Sequence, residues 1–251
     1  MKKWLLGLGV LVISGCSATQ QEDESTELTV SAAASLQDAL YTIETQFEEE
    51  TGIGVTFNFG GSGSLQQQIS QGAPVDLFIS ANETQFNELI EEGVISEEDS
   101  TSLIGNELVM IVPRADLDIA TFEDLTDVER ISIGTPETVP AGEYSKEVLE
   151  HLELWSDFEE QIVYAKDVRQ VLSYVESENV NAGMVYYTDA LTSDQVKIAA
   201  FTEEDWHQPI VYPAGILEDA THSEDAAAFL DYLQSDDALA VFEELGFKGL
   251  N

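Results

Sequence analysis

The 251-residue chain contains a single cysteine, Cys16. A lone thiol excludes an intramolecular disulfide and a cysteine-ligated metal cluster. Positive charge is nearly as scarce: nine Lys and Arg stand against 49 Asp and Glu, for a formal net charge of -40 at pH 7. Phosphate backbones are held by clustered Lys and Arg, so nucleic acid is not an expected partner. The balance reads first as a solvated acidic surface. Histidine occurs only at His151, His207 and His222, without metal-ligand spacing. Each reads as a surface or capping residue rather than a catalyst, and no protein-ligated metal is expected. Carboxylates are so abundant that no chosen pair points to acid–base chemistry.

Enzyme signatures are missing too. The stretch Gly60-Gly61-Ser62-Gly63-Ser64 lacks the Lys-Ser/Thr ending of a P-loop. It neither completes G-x-G-x-x-G nor forms a G-x-S-x-G elbow.

What is present is an ordinary share of apolar residues, 43%, in recurring runs. That is enough for a core and unlike a disordered acidic tail. The length admits one large domain or two modest ones. At the N-terminus, Lys2 and Lys3 precede an apolar run from Trp4 to Ile13 and then small residues. This pattern predicts a secretory signal over 1–15, too short to span as a mature helix. Ile13-Ser14-Gly15-Cys16 resembles the lipobox of bacterial lipoproteins. The resemblance implies cleavage before Cys16, a lipid on its sulfur and a place on the outer face of the cell membrane. The polar, aperiodic stretch that follows predicts a flexible tether over 16–27.

From Leu28 onward, strand-like and helix-like segments alternate. Strands are predicted at 28–34, 55–59, 75–80, 107–113, 130–135, 161–165, 182–187, 196–201 and 209–216. Helical spacing follows the first strand, with Leu36, Leu40, Ile43 and Phe47 on one face and Gly52 as a stop. A further helix is predicted around 83–92, ending at Gly93. Another, opened by Asp167 as a cap, sets Val168, Leu172 and Val175 on one face. The C-terminal segment from Ser223 reads as one long helix or two. The alternation predicts an α/β protein with mostly parallel sheets. There are too many strands for one small sheet, and no Pro/Gly-rich linker splits the chain. Two lobes joined by crossing strands are expected: 28–107 with 211–251, and 108–210. Ligands of open α/β sheets sit beyond the strand C-termini, which here means the cleft.

Several strand-to-helix junctions are rich in hydroxyls and small residues. They include "SAAASLQDAL" with Ser35, "GGSGSL" with Ser62 and Ser64, "TPETVPAGEYSKEVL", "AKDVRQVL" and "GMVYYTDAL" with Tyr186. Each alone has an ordinary explanation. Ser35 could be a plain helix cap, the Gly/Ser loop a flexible turn, Pro140 a helix start and Tyr186 a core residue. Together, in this order and spacing, they resemble the molybdate-binding proteins of ABC transporters, a class of extracytoplasmic solute-binding protein. "QGAPVDLFISA" and "VPAGEYSKEVL" are the most specific stretches, and the resemblance covers Leu28 to Phe247. It implies a two-lobed fold of the type II periplasmic-binding-protein kind and an ABC permease as partner. It also implies a monomer without a cofactor and without catalysis. The residues implied to hold the anion are Ser35 and Ser62 through hydroxyls, Ala141 and Val168 through backbone N–H groups, and Tyr186 through its phenol. Ser64 is a possible addition.

The implied ligands, molybdate or tungstate, carry no proton at neutral pH, so every site atom should be a donor. Helix N-termini supply partial positive charge without a Lys or Arg. Asp38 and Asp167 are expected to point away. Arg169 is either the nearest cation to the anion or a partner for one of the many carboxylates. Other readings stay open at this point: a receptor for sulfate, thiosulfate or phosphate, a hydrolase using Ser35 or Ser62, or a sensor ectodomain.

Overall fold

The computed structural model describes residues 27–115 and 119–250. The secretory signal, Cys16 and nearly all of the expected tether lie outside these residues. Glu27, placed in the tether by the sequence, opens the first strand.

In chain order the elements are β1 (Glu27–Ala33), α1 (Gln37–Thr51), β2 (Gly54–Gly60), α2 (Ser62–Ser70), β3 (Leu77–Ile79), α3 (Glu83–Glu91) and β4 (Ile95–Gly105). The chain then crosses to β5 (Leu108–Pro113), β6 (Ile131–Gly134), α4 (Pro140–His151), the single turn α5 (Trp155–Phe158), β7 (Ile162–Ala165), α6 (Val168–Glu176), β8 (Ala182–Tyr186), α7 (Tyr187–Leu191) and β9 (Val196–Phe201). It returns through β10 (Val211–Leu217) to α8 (Ser223–Leu233) and α9 (Asp236–Glu244).

These strands form two five-stranded sheets of matching plan, β2-β1-β3-β10-β4 and β7-β6-β8-β5-β9. Three neighbouring strands in each run parallel, with β1 between β2 and β3 and β6 between β7 and β8. A strand that has just crossed between lobes then adds antiparallel: β10 beside β3, and β5 beside β8. This is the two-lobed mixed α/β arrangement expected from the alternation. The fully buried run of β5, Leu108 to Val112, suits a strand with neighbours on both edges and cover on both faces. Helix α1 buries Ala39, Leu40, Ile43 and Phe47 against the first sheet and ends at Gly52, whose φ of 76° suits a left-handed cap. Leu40, Ile43 and Phe47 each contribute about 1.5–3 kcal/mol by leaving water.

Three local features depart from or sharpen the sequence reading. Strand β4, "ISEEDSTSLIG", is not predicted, because it is a polar edge strand with its centre exposed. Ser35 does not cap α1. It sits in a 3₁₀ turn, Ala34–Leu36, and makes no capping bond. The C-terminal segment is two helices, with Ser235 Oγ accepting from Ala238 N–H to start α9. Pro213, inside β10, falls at a bulge that tolerates its missing N–H.

Candidate functional site

The parallel strands of both sheets aim their C-terminal ends at one another, so the helices that follow begin around a common space. The end of β1 brings Ala33, Ala34 and Ser35, and the end of β2 brings Gly60, Gly61 and Ser62. Ala81 follows β3. From the other lobe come Val139, Pro140 and Ala141 at the start of α4, Val168 at the start of α6, and Tyr186 at the end of β8. Together they line a small cavity of about 10 Å³. That is far smaller than the roughly 300–1,000 Å³ of pockets for drug-sized organic ligands. All five residues singled out by the sequence, Ser35, Ser62, Ala141, Val168 and Tyr186, line this cavity. Ser64, one position past Gly63 on α2, is not among the residues that line it.

Small and apolar residues make up most of the lining, and its polar side chains are the hydroxyls of Ser35, Ser62 and Tyr186. Ser62 Oγ accepts the Ala81 N–H at 3.0 Å, which leaves the serine proton uncommitted. Ser35 Oγ lies 3.0 Å from Tyr212 Oη. Ala141 and Val168 occupy the first turns of α4 and α6, where N–H groups have no partner within the helix. Tyr186 is 1% exposed, and its hydroxyl has no hydrogen-bond partner among the described residues. Burial, with Tyr212 and Tyr144 nearby, pushes its pKa far above the ordinary phenol value, so it remains an O–H donor. An unpaired buried hydroxyl costs about 1–3 kcal/mol unless something accepts its proton.

Among the described residues, no carboxylate lines the cavity. Asp167 is instead the N-cap of α6, its Oδ1 accepting the Gln170 N–H at 2.8 Å. Asp38 reaches out from α1 to the guanidinium of Arg169. Arg169 also stands 2.7 Å from Asp189, an ion pair whose N–H does not align as a hydrogen bond. The cation is therefore committed to carboxylates. Asp189 itself is wholly buried, and burial pushes its pKa up to about 6 against the opposing pull of Arg169.

The lobes touch across the cleft. Gly63 N–H donates to Thr138 O at 3.0 Å, and Asn82 Nδ2 donates to Glu143 Oε2 at 2.9 Å. A Cβ at Gly61 would stand 2.8 Å from Thr138 O and 2.9 Å from Lys166 O. The φ of -67° at Gly61 suits any residue, so space and not conformation demands glycine here. The two lobes are thus in direct contact beside the cavity.

The histidines lie elsewhere. His222 pairs with Asp76 at 3.2 Å, His207 bonds Thr202 and Gln208, and His151 stacks on Trp206. Neither Ser35 nor Ser62 makes a hydrogen bond to a histidine. Sequence reasoning missed Tyr212 and Asn106 behind Ser35, because both look like ordinary strand and turn residues and carry no motif.

Fold and cavity together define a two-lobed solute-binding architecture. The chain belongs to the bacterial extracellular solute-binding protein family, whose profile matches residues 28–248. It is 51% identical over 242 residues to YvgL of Bacillus subtilis, provisionally named an ABC transporter substrate-binding lipoprotein, covering 94% of this chain and 93% of that one. It is 36% identical over 254 residues to the molybdate-binding protein ModA of Escherichia coli, covering 98% of each. Among solved structures, the periplasmic molybdate-binding protein of Azotobacter vinelandii superposes with a TM-score of 0.81 at 25% identity, covering 89% of this chain and 100% of that one.

Proposed function

We propose that this chain is a lipid-anchored extracytoplasmic receptor that captures molybdate, and tungstate with it, and delivers the ion to an ABC permease. The observation that carries the reading is the unpartnered, buried Tyr186 hydroxyl in a small cavity whose polar side chains are hydroxyls, with no carboxylate among the described residues that line it. A tetrahedral dianion without a proton supplies only acceptors, and an all-donor shell suits it. Ser35, Ser62 and Tyr186 give hydroxyls, and Ala141 and Val168 give N–H groups at helix starts, where the dipole favours negative charge. About five charge-assisted donors, at roughly 1.5–3 kcal/mol each before association costs, allow a dissociation constant between about micromolar and nanomolar. Among the described residues, no carboxylate in the lining stands ready to accept the proton of hydrogen phosphate.

The ion is bound, not transformed. Lobe one (28–107 and 211–251) and lobe two (108–210) open and close about the two crossings, one between β4 and β5 and one between β9 and β10. The closed monomer presents one face to the permease. Sulfate is rejected by size, since a smaller anion cannot reach all donors together.

Calorimetric titration of the chain from Ser17 onward with molybdate, tungstate and sulfate tests the reading. One-to-one binding of the first two with sulfate silent is expected. Sulfate binding as tight as molybdate, or no heat from any of the three, would overturn it. The anchor has its own check: Cys16→Ser should release the protein from cells into the medium, and retention on the membrane would reject lipidation at Cys16.

A further inference from the structure

Behind Ser35, away from the cavity, a short chain of hydrogen bonds has one polarity in which the Tyr212 proton finds a partner. Asn106 Oδ1 accepts the Glu107 N–H at 2.9 Å. A backbone N–H can only donate, so the orientation of the Asn106 amide is settled. Its Nδ2 then faces Thr188 Oγ1 at 3.0 Å and Tyr212 Oη at 3.1 Å, and both amide protons are used. Tyr212 Oη accepts one of them and keeps its own proton, since burial holds the phenol in its protonated form. The remaining partner of that proton among the described residues is Ser35 Oγ, at 3.0 Å. Ser35 is therefore an acceptor toward Tyr212, and its own proton is the group still to be placed. Ser35 lines the cavity; Asn106 and Tyr212 do not. Asn106 stands where the chain crosses between β4 and β5, with Thr188 on one lobe and Tyr212 on the strand that returns to the other.

We propose that Asn106 and Tyr212 are positioning residues: their relay fills one lone pair of Ser35 Oγ, leaves its proton for the ligand and so biases the site toward an anion with no proton. This rests on the oxyanion reading above. One lone pair of Ser62 Oγ is filled in the same way by the Ala81 N–H. With one lone pair of each serine already occupied, a protonated oxyanion finds fewer acceptors for its proton.

Reversing the relay tests this. The full chain is titrated with sodium molybdate as wild type, Tyr212→Phe, Asn106→Asp and the double variant. Tyr212→Phe removes what orients Ser35 but leaves its hydroxyl, and weakens binding about three- to tenfold. Asn106→Asp accepts from Tyr212, so Ser35 must donate to Tyr212 and turn lone pairs to the anion. Binding then weakens by at least about 100-fold, as one charged-group bond becomes a repulsion. In the double variant the relay is cut while the new charge stays. Affinity should return to within about threefold of Tyr212→Phe, a recovery that neither a structural defect nor a bare charge effect produces. A double variant as weak as Asn106→Asp overturns the proposal, as does a Tyr212→Phe variant equal to wild type. Should Asn106→Asp fail to fold, competition by hydrogen phosphate decides. The molybdate-to-phosphate ratio falls in Tyr212→Phe if the relay sets it, and an unchanged ratio overturns it. A wild-type chain silent toward molybdate sinks the ligand reading and the relay with it. A wild type that binds, beside an unaffected Tyr212→Phe, sinks the relay alone.

Discussion

Two hydroxyls in the cavity make different demands on the fold. Tyr186 Oη has no protein partner, whereas Ser62 Oγ satisfies the buried Ala81 N–H. Both Tyr186→Phe and Ser62→Ala should weaken molybdate binding by about 1–3 kcal/mol, roughly 5- to 150-fold. Their ligand-free melting should differ. Tyr186→Phe removes an unsatisfied hydroxyl and should leave the melting temperature equal or higher, while Ser62→Ala orphans a backbone donor and should lower it. Calorimetry paired with thermal melts separates the two, and a clear loss of stability in Tyr186→Phe would contradict the orphan assignment. Buried carboxylates give a pH signature of opposite signs. Burial raises Asp189 from 3.8 to about 6, so the folded state takes up a proton first and stability grows as pH falls from about 7 toward 4. Asp76 is also disfavoured by burial, but N–H donors from Thr29 and His222, together with the His222 ring, outweigh this and hold its pKa below the ordinary value. Its contribution is present above pH 3.8 and is lost as pH falls through its lower folded value. Thermal melts across pH should therefore show Asp189→Asn flattening the rise between pH 7 and 5, and Asp76→Asn removing much of the loss below about pH 4.

At the scale of elements, closure depends on how near α2 can come to the segment before α4. Gly61→Ala would set a Cβ against the carbonyls of Thr138 and Lys166, which are backbone and cannot swing aside. Molybdate affinity should fall by at least about 100-fold, the scale of overpacking and lost closed-state contacts combined. The ligand-free melt should change little, because each lobe keeps its own core. Small-angle scattering should show no compaction on adding molybdate, and normal compaction in this variant would refute the steric account. The Asp38–Arg169 pair between α1 and α6 also bridges the lobes, but Asp38 is half exposed. Exposed pairs contribute about 0–1 kcal/mol, so Asp38→Asn should weaken binding no more than about fivefold and act mainly on dissociation.

For the whole molecule, the surface opposes the anion proposed for the cleft. A net charge of -40 repels an approaching dianion, while helix N-termini act at short range within the cavity. Repulsion between exposed charges fades beyond about 10 Å at 0.1 M salt. The association rate for molybdate should therefore rise as salt goes from 10 to about 200 mM, the reverse of electrostatic steering. Stopped-flow fluorescence checks the sign. The same self-repulsion predicts a melting temperature that climbs into molar salt more than that of a protein of ordinary charge, as a salty or alkaline habitat would require.

The sequence by itself determined the α/β alternation, the apolar faces of α1 and α6, the N-cap at Asp167 and the five residues that meet in one cavity. These are local matters: periodicity and junction chemistry are written within one or two turns of chain, and the junction motifs were legible through a family resemblance. The tertiary structure alone decided the rest. Strand β4 is polar and exposed at its centre, so only its pairing with β10 marks it as a strand. Arg169 could have faced the ligand or a carboxylate, and the choice was made by Asp38 and Asp189, which fold brings to it from two other helices. The hydrogen bonds behind Ser35 join it to Tyr212, and Tyr212 to Asn106, across 177 and 106 residues of chain. No local pattern encodes such meetings, because they exist only once two lobes have packed.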